Sequence, residues 1–235
     1  MNEIPLIDWI ALGVFITIWT FYTWYSDYSP SAKNSLPRVM NFHRKRWMRE
    51  MLRRELRMPD ALGIGNFVQS AVFFASTAIL IIGGLVATLG GSSRAVDAIS
   101  LLPFVVTPSE SLWSIKVVIL ICVFIYAFVK FIWAVRLANY CMVLFNAAPI
   151  DAKADNIAYA DELAKLAGLF ALHFNQGLRA NFFALAALGW WINATVFMLA
   201  TAAVLWVVYR REFRSNSLKV ANNLRDMSMR AENQD

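Results

Sequence analysis

His173-Phe174-Asn175-Gln176-Gly177-Leu178-Arg179-Ala180-Asn181-Phe182-Phe183 is the stretch whose reading decides the fold. It is the densest polar cluster of the chain, and it runs straight into a long apolar segment. At helical spacing Asn175, Arg179 and Phe182 share one face, while His173, Gln176, Gly177 and Ala180 share another. The stretch therefore meets two kinds of neighbour. Read as a cytoplasmic elbow feeding the last span, it leaves four membrane crossings. Read as part of an added crossing, it makes five.

Outward from this point, composition sets the class. Of 235 residues, 59% are hydrophobic and 16% charged, with mean hydropathy +0.50. Soluble domains carry roughly 45–50% apolar and about 25% charged residues. The expectation is an all-α polytopic membrane bundle in a cell inner (plasma) membrane. It has four transmembrane helices, five being the alternative, near 6–25, 66–89, 112–137 and 182–209. Each run has the ~20 residues that a bilayer requires. Interfacial amphipathic helices are expected near 37–58 and 155–180, within one membrane domain 1–215 followed by a polar, frayed tail 216–235. The chain's start carries Glu3 and Asp8 and no basic segment, so its first apolar run reads as a retained helix rather than a cleaved signal. Trp9, Trp19, Tyr22, Trp24 and Tyr25 read as anchors at the headgroup level.

The net charge of +6 sits in segments flanking the apolar runs, which suits an anionic leaflet. No nucleic-acid motif accompanies it, so no nucleic-acid partner is expected. The strongest cytoplasmic marker is the segment after the first span, with Lys33, Arg38, Arg44, Lys45, Arg46, Arg49, Arg53, Arg54 and Arg57. Pro37 suits a helix first turn with Asn34 or Ser35 as cap, and Pro59 a stop. Between them Met40, Trp47, Met51 and Met58 lie on one helical stripe. They face either the membrane surface or the protein's own cytoplasmic side. In the second span Ser76, Gly83, Ala87 and Gly90 form a small-residue stripe for helix packing, inside the chain or between chains. The loop 91–111 has one basic residue, Arg94, and belongs outside.

Two charge signals conflict. Four crossings with a cytoplasmic first loop put both termini outside, yet the tail after Tyr209 is itself basic. The first loop carries nine basic residues against six in the tail, which favours the loop. A crossing through 163–179 would reconcile the two while immersing several polar groups.

Apart from Asp8 near the outer edge of the first, no carboxylate lies inside the four apolar spans, which argues against a proton- or sodium-coupled carrier. His43 and His173 are far apart, and Cys122 and Cys141 lack metal-ligand spacing, so no metal site is expected. Gly63-Ile64-Gly65 is too short for a phosphate loop. No nucleophile elbow is present, no enzyme activity is expected and no cofactor is implied. What remains is a basic, amide-rich set near the inner interface: Lys130, Arg136, Asn139, His173, Asn175, Arg179 and Asn181. It could hold an anionic headgroup or organic anion, or its members could cap helices and contact one another. Lys130 either snorkels or meets an acceptor. The expected partners are membrane lipids with anionic headgroups and a homo- or hetero-oligomer.

Several blocks carry a family resemblance. They are Phe74-Ala75-Ser76-Thr77-Ala78-Ile79-Leu80-Ile81-Ile82-Gly83-Gly84, Tyr126-Ala127-Phe128-Val129-Lys130-Phe131-Ile132-Trp133-Ala134-Val135-Arg136 with Asn139-Tyr140-Cys141, His173 to Arg179, and Tyr209-Arg210-Arg211-Glu212-Phe213. From about Trp9 to Ser215 the chain resembles a domain-of-unknown-function family of bacterial and plant multi-pass membrane proteins. The sequence departs from that pattern at Asn181, where an aromatic is expected, and at Gly65-Asn66-Phe67-Val68, where a Leu-Arg-Asn motif is common. The resemblance implies the fold and no activity. Function is expected to be that of an accessory or scaffold subunit; the alternative is a transporter or channel for an anionic or lipid-like solute.

Overall fold

A computed structural model describes residues 5–90 and 109–232; most of the expected outer loop 91–111 lies outside the described residues. Helices carry the chain, with no strand among the described residues: α1 Leu6–Tyr28, α2 Leu36–Met51, α3 Met58–Leu89, α4 Glu110–Ala147, α5 Ala154–Ala187, α6 Ala194–Phe213 and α7 Asn216–Glu232. Short 3-10 turns occupy Pro30–Asn34 and Leu188–Trp191. By length and composition Leu6–Tyr28, Met58–Leu89, Glu110–Ala147 and Ala194–Ala231 are apolar enough to cross a membrane. This is a helical membrane protein.

Local chemistry explains most boundaries. Ser35 is the N-cap of α2, with Pro37 inside its first turn, where the missing N–H has no intrahelical acceptor to lose. The helix expected over 37–58 ends instead at Met51. Leu52, Arg53 and Arg54 close tight turns onto the carbonyls of Arg49, Glu50 and Met51. Pro59, read as a stop, sits in the first turn of α3, which the same missing N–H permits. Asp60 follows it and accepts from Trp47 Nε1 at 2.7 Å and from Arg54, at the helix end where negative charge is favoured.

The segment 182–209, expected as one span, is divided. α5 runs unbroken through 155–180 to Ala187, and α6 starts at Ala194. Gly189 makes the turn possible, because a Cβ there would meet Val196 Cγ1 and the Val196 carbonyl oxygen at 3.3 Å. Asn193 Oδ1 then accepts from the Val196 N–H at 2.8 Å and caps α6.

The chain divides into two compact units. The first comprises Met1–Trp24, Phe74–Val129 and Gln176–Val208. Its aromatic centre is Phe15, which packs on Trp19, Phe183 and Phe197 with ring centroids 5.9, 6.1 and 5.1 Å away. Lipid tails are as apolar as Leu, so helices here associate by close packing rather than by exclusion of water. Small residues on the buried faces supply it: Ala75 and Ala78 on α3, Ala127 on α4, and Ala180, Ala184 and Ala187 on α5. Trp190 is buried in the α5–α6 turn and stacks on Phe197 at 4.9 Å. Its Nε1 donates to Asp8 Oδ1 at 2.6 Å, and its carbonyl accepts from Lys116 Nζ at 2.7 Å. Those contacts gather the starts of α1, α4 and α6 with the end of α5.

The second unit comprises Tyr25–Phe73, Lys130–Asn175 and Tyr209–Asp235. Its core joins Met48, Met51 and Leu52 of the α2 end, Ile64 of α3, Ala138, Cys141 and Phe145 of α4, and Ala160, Leu163, Ala167 and Phe170 of α5. Burying each Met or Leu from water contributes about 1.5–3 kcal/mol. Of the stripe read from sequence, Met51 is buried in this core and Trp47 packs against it, with neighbouring Met48 also buried, whereas Met40 and Met58 are exposed. The expected frayed tail is helical: α7 packs on α2, burying Leu218 and Ala221 against Val39. His43 Nε2 donates to the Ala221 carbonyl at 2.9 Å, and Arg46 donates to Ser228 Oγ. Tyr25 meets Phe213 at 5.8 Å and Ser26 donates to Glu212, so the ends of α1 and α6 lie side by side.

Candidate functional site

The residues picked out by sequence fall in both units. In the second unit, Arg136 is exposed and lies over Trp133 and Tyr140 at 5.4 and 5.6 Å, donating to Tyr140 Oη at 2.8 Å. His173 meets the edge of the same Trp133 ring at 6.4 Å. Lys130 feels the charge of Asp27, and Asn139 is exposed. Asn175 lines a cavity described below. In the first unit Arg179 is buried with its guanidinium 5.9 Å from the Tyr22 ring centre. Asn181 Oδ1 is buried with no hydrogen-bond partner among the described residues. The stripe of Ser76, Gly83, Ala87 and Gly90 is exposed, and a Cβ at Gly83 would meet nothing within 4 Å. The buried face of α3 is instead Ala71, Ala75 and Ala78.

What the structure adds is a cavity of about 900 Å³ within the second unit, between α2 and α5. Such a volume suits a small-molecule or headgroup ligand. Two facing stripes build it. From α2 come Arg38, Asn41, Phe42, Arg44 and Lys45; from α5 come Asp161, Lys165, Gly168, Leu172 and Asn175, at steps of three and four that keep one helix face. Leu169 adds apolar wall, and Asp27 closes the edge at the end of α1.

Electrostatics give the cavity its sign. Asp161 takes Arg49 on both oxygens at 2.7 and 2.8 Å and Lys45 at 3.0 Å. The Arg49 hydrogen bond, helped by Lys45, holds its carboxyl down to about 2. Glu162 pairs with Lys165 at 2.5 Å, and Asp27 acts on Lys130. Both α5 carboxylates of the wall are thus matched by cations. Arg38 and Arg44 are not matched in return. Arg38 donates to the Asp27 backbone carbonyl, and Arg44 to Asn41 Oδ1 at 2.7 Å. Neither has a carboxylate partner among the described residues. Burial pulls the Arg44 guanidinium down from its ordinary value, the signature of a charge held from water with only an amide to answer it. Gly168 makes room for that amide, since a Cβ there would approach Asn41 Oδ1 to 3.2 Å.

The arrangement offers two guanidinium groups and the amides of Asn41 and Asn175 beside the apolar Phe42, Leu169 and Leu172. It can hold an anionic head and an apolar chain together. Among the described residues no cluster of His, Cys, Asp or Glu could hold a metal ion. Sequence reasoning passed over Arg38, Arg44 and Lys45 because it used them as topology markers. The available signal was the matching three-and-four spacing of Arg38, Asn41 and Lys45 with Asp161, Lys165, Gly168 and Leu172.

The Asp161 cluster predicts a pH effect. Its folded value lies below its ordinary 3.8, so its contribution is present above pH 4 and disappears as pH falls toward 2. With the side chain a quarter exposed, solvent screening limits the loss to about 1 kcal/mol. Acid titration of thermal stability for wild type and Asp161→Asn checks this: the difference between them should shrink below pH 4 and vanish only as pH reaches about 2.

Neither a curated protein nor a solved structure shows significant similarity to the chain. A family model described as protein of unknown function, DUF599, matches residues 10–217. Since that match takes in α1 to the start of α7, including both walls of the cavity, the chain belongs to the DUF599 family.

Proposed function

We propose that this is a membrane protein of five crossings that holds an anionic amphiphile, such as a phosphate-bearing lipid, at its cytoplasmic face. The single observation that carries the ligand reading is the cavity wall on which Arg38 and Arg44 lack carboxylate partners beside Phe42, Leu169 and Leu172. Guanidinium forks match phosphate geometry, and the neighbouring apolar wall suits an acyl chain. Binding of short-chain phosphatidic acid to detergent-solubilised protein, compared between wild type and an Arg38→Gln/Arg44→Gln variant, tests it. Equal affinities would remove the reading.

Parity supports the fifth crossing. α2 and α7 touch, so they occupy the same side. α4 ends in the core beside the α2 end, so α5 and α6 must together return the chain to that side. With α6 apolar enough to cross, α5 crosses too. Its buried Ala180, Phe183, Ala184 and Ala187 suit a helix partly walled by protein, whose polar residues need not face lipid. The positive-inside tendency then sets the basic loop and the tail in the cytoplasm together. A cysteine appended after Asp235, in a chain with Cys122→Ser and Cys141→Ala, should resist an impermeant maleimide in intact cells and react after permeabilisation. Labelling in intact cells would remove the fifth crossing.

A second reading, a subunit of a membrane assembly, is favoured by the open stripe of Ser76, Gly83 and Ala87 on α3. A helix of another chain could approach closely there. Native mass analysis after gentle extraction, finding only a lone monomer, would count against it.

A further inference from the structure

We infer that α7 is a docking helix for the anionic leaflet, with Val220, Leu224 and Met227 as its lipid-facing residues. The inference rests on α6 being a membrane crossing. One face of α7 is already occupied, because Leu218, Ala221 and Ser228 are buried against α2. Val220, Leu224 and Met227, spaced four and three apart on another face, are 58%, 51% and 66% exposed. Lys219 and Arg230 lie together along the side of that stripe away from α2, with Asp226 beside them, so an apolar line borders a charged one, the pattern of an interfacial helix.

Tethering argues for lipid rather than another occupant. Only Arg214 and Ser215 separate the end of α6 from the start of α7. Arg210 and Arg211 lie in the last turn of α6, and Arg214 sits 6.0 Å from the centre of the Tyr209 ring. Tyr209 in turn stacks on Phe213 at 5.1 Å. Aromatic rings with arginines at the end of an apolar helix mark the headgroup level. A helix beginning three residues later starts at that level, where Lys219 and Arg230 meet anionic headgroups.

Fluorescence quenching on the full chain tests the inference. In a Cys122→Ser/Cys141→Ala background, single Val220→Cys, Leu224→Cys, Met227→Cys and Asp226→Cys variants carry a bimane label in vesicles of phosphatidylethanolamine and phosphatidylglycerol. A shallow nitroxide lipid should quench the first three at least about two-fold more than Asp226→Cys. Iodide should show the reverse order. Equal lipid quenching at all four sites overturns the inference, whether the labels are open to iodide or shielded from both agents by a protein partner. Leu199→Cys, on the exposed face of α6, separates the two claims. If it too escapes a deep nitroxide lipid, the crossing by α6 fails. If it alone is quenched, only the docking of α7 fails.

Discussion

Trp190→Ala is expected to lower the midpoint of thermal unfolding in detergent by roughly 8–16 °C, through a loss of about 3–5 kcal/mol. The side chain is 1% exposed and makes three separate contributions at the α5–α6 turn. Its ring stacks on Phe197 at 4.9 Å, its indole N–H is the donor to Asp8 Oδ1, and its face lies 5.4 Å from Lys116 Nζ. Truncation leaves a cavity against Phe197 and deprives a buried carboxylate of its donor. The Lys116 hydrogen bond to the backbone carbonyl survives, which keeps the loss below that of an isolated buried charge. Trp190→Phe isolates the polar share: it keeps the stack and should lose about 1–3 kcal/mol. Size-exclusion profiles after heating in dodecyl maltoside read both variants. A shift within 2 °C for Trp190→Ala would show that the turn does not hold the starts of α1, α4 and α6 together.

The second large effect is expected at the cavity. Each guanidinium bonding to an anion contributes roughly 1.5–3 kcal/mol, so Arg38→Gln/Arg44→Gln should weaken binding of short-chain phosphatidic acid by about 100-fold or more. Lys33→Gln, on the exposed 3-10 turn away from the cavity wall, should leave affinity unchanged and so controls for general loss of positive charge. Stability should fall little in the double variant, because the two arginines answer only a carbonyl and an amide. Calorimetry at fixed ionic strength separates specific retention from diffuse attraction, which salt screens.

How much of this was legible in the sequence depended on the solvent each residue faces. α1, α3 and α4 are sustained apolar runs, and hydropathy places them without help from the fold. α5, the crossing proposed here, escapes that logic: with Lys165, His173, Asn175, Gln176 and Arg179 it looks too polar to cross. Its buried line of alanines meets protein instead of lipid, and Gln176 and Arg179 are buried within the first unit. The break at Gly189 and Asn193 was similarly hidden in a continuous apolar run, since neither residue ends a helix by composition alone. The tail was read as frayed because α7 is polar overall. What orders it is a short contact of Leu218 and Ala221 with Val39, which no local signal announces.

The candidate site shows the same division. Arg136, His173 and Arg179 were conspicuous because they stand beside apolar runs, yet Arg136 and His173 share the Trp133 ring and Arg179 lies by Tyr22. Of the seven residues singled out, only Asn175 lines the cavity. The cavity depends on pairing two helices more than 100 residues apart, and on which cations the carboxylates have already claimed. That depends on contacts such as Arg49 with Asp161, which spacing along the chain does not reveal.

The most direct measurement of the central claim is photo-crosslinking of a diazirine-bearing phosphatidic acid to the wild-type protein in vesicles, with adducts mapped by mass spectrometry. The account predicts adducts concentrated on Phe42, Leu169 and Leu172, and their disappearance in Arg38→Gln/Arg44→Gln. Adducts spread over the exposed faces of α3 and α4, unchanged in that variant, would contradict it.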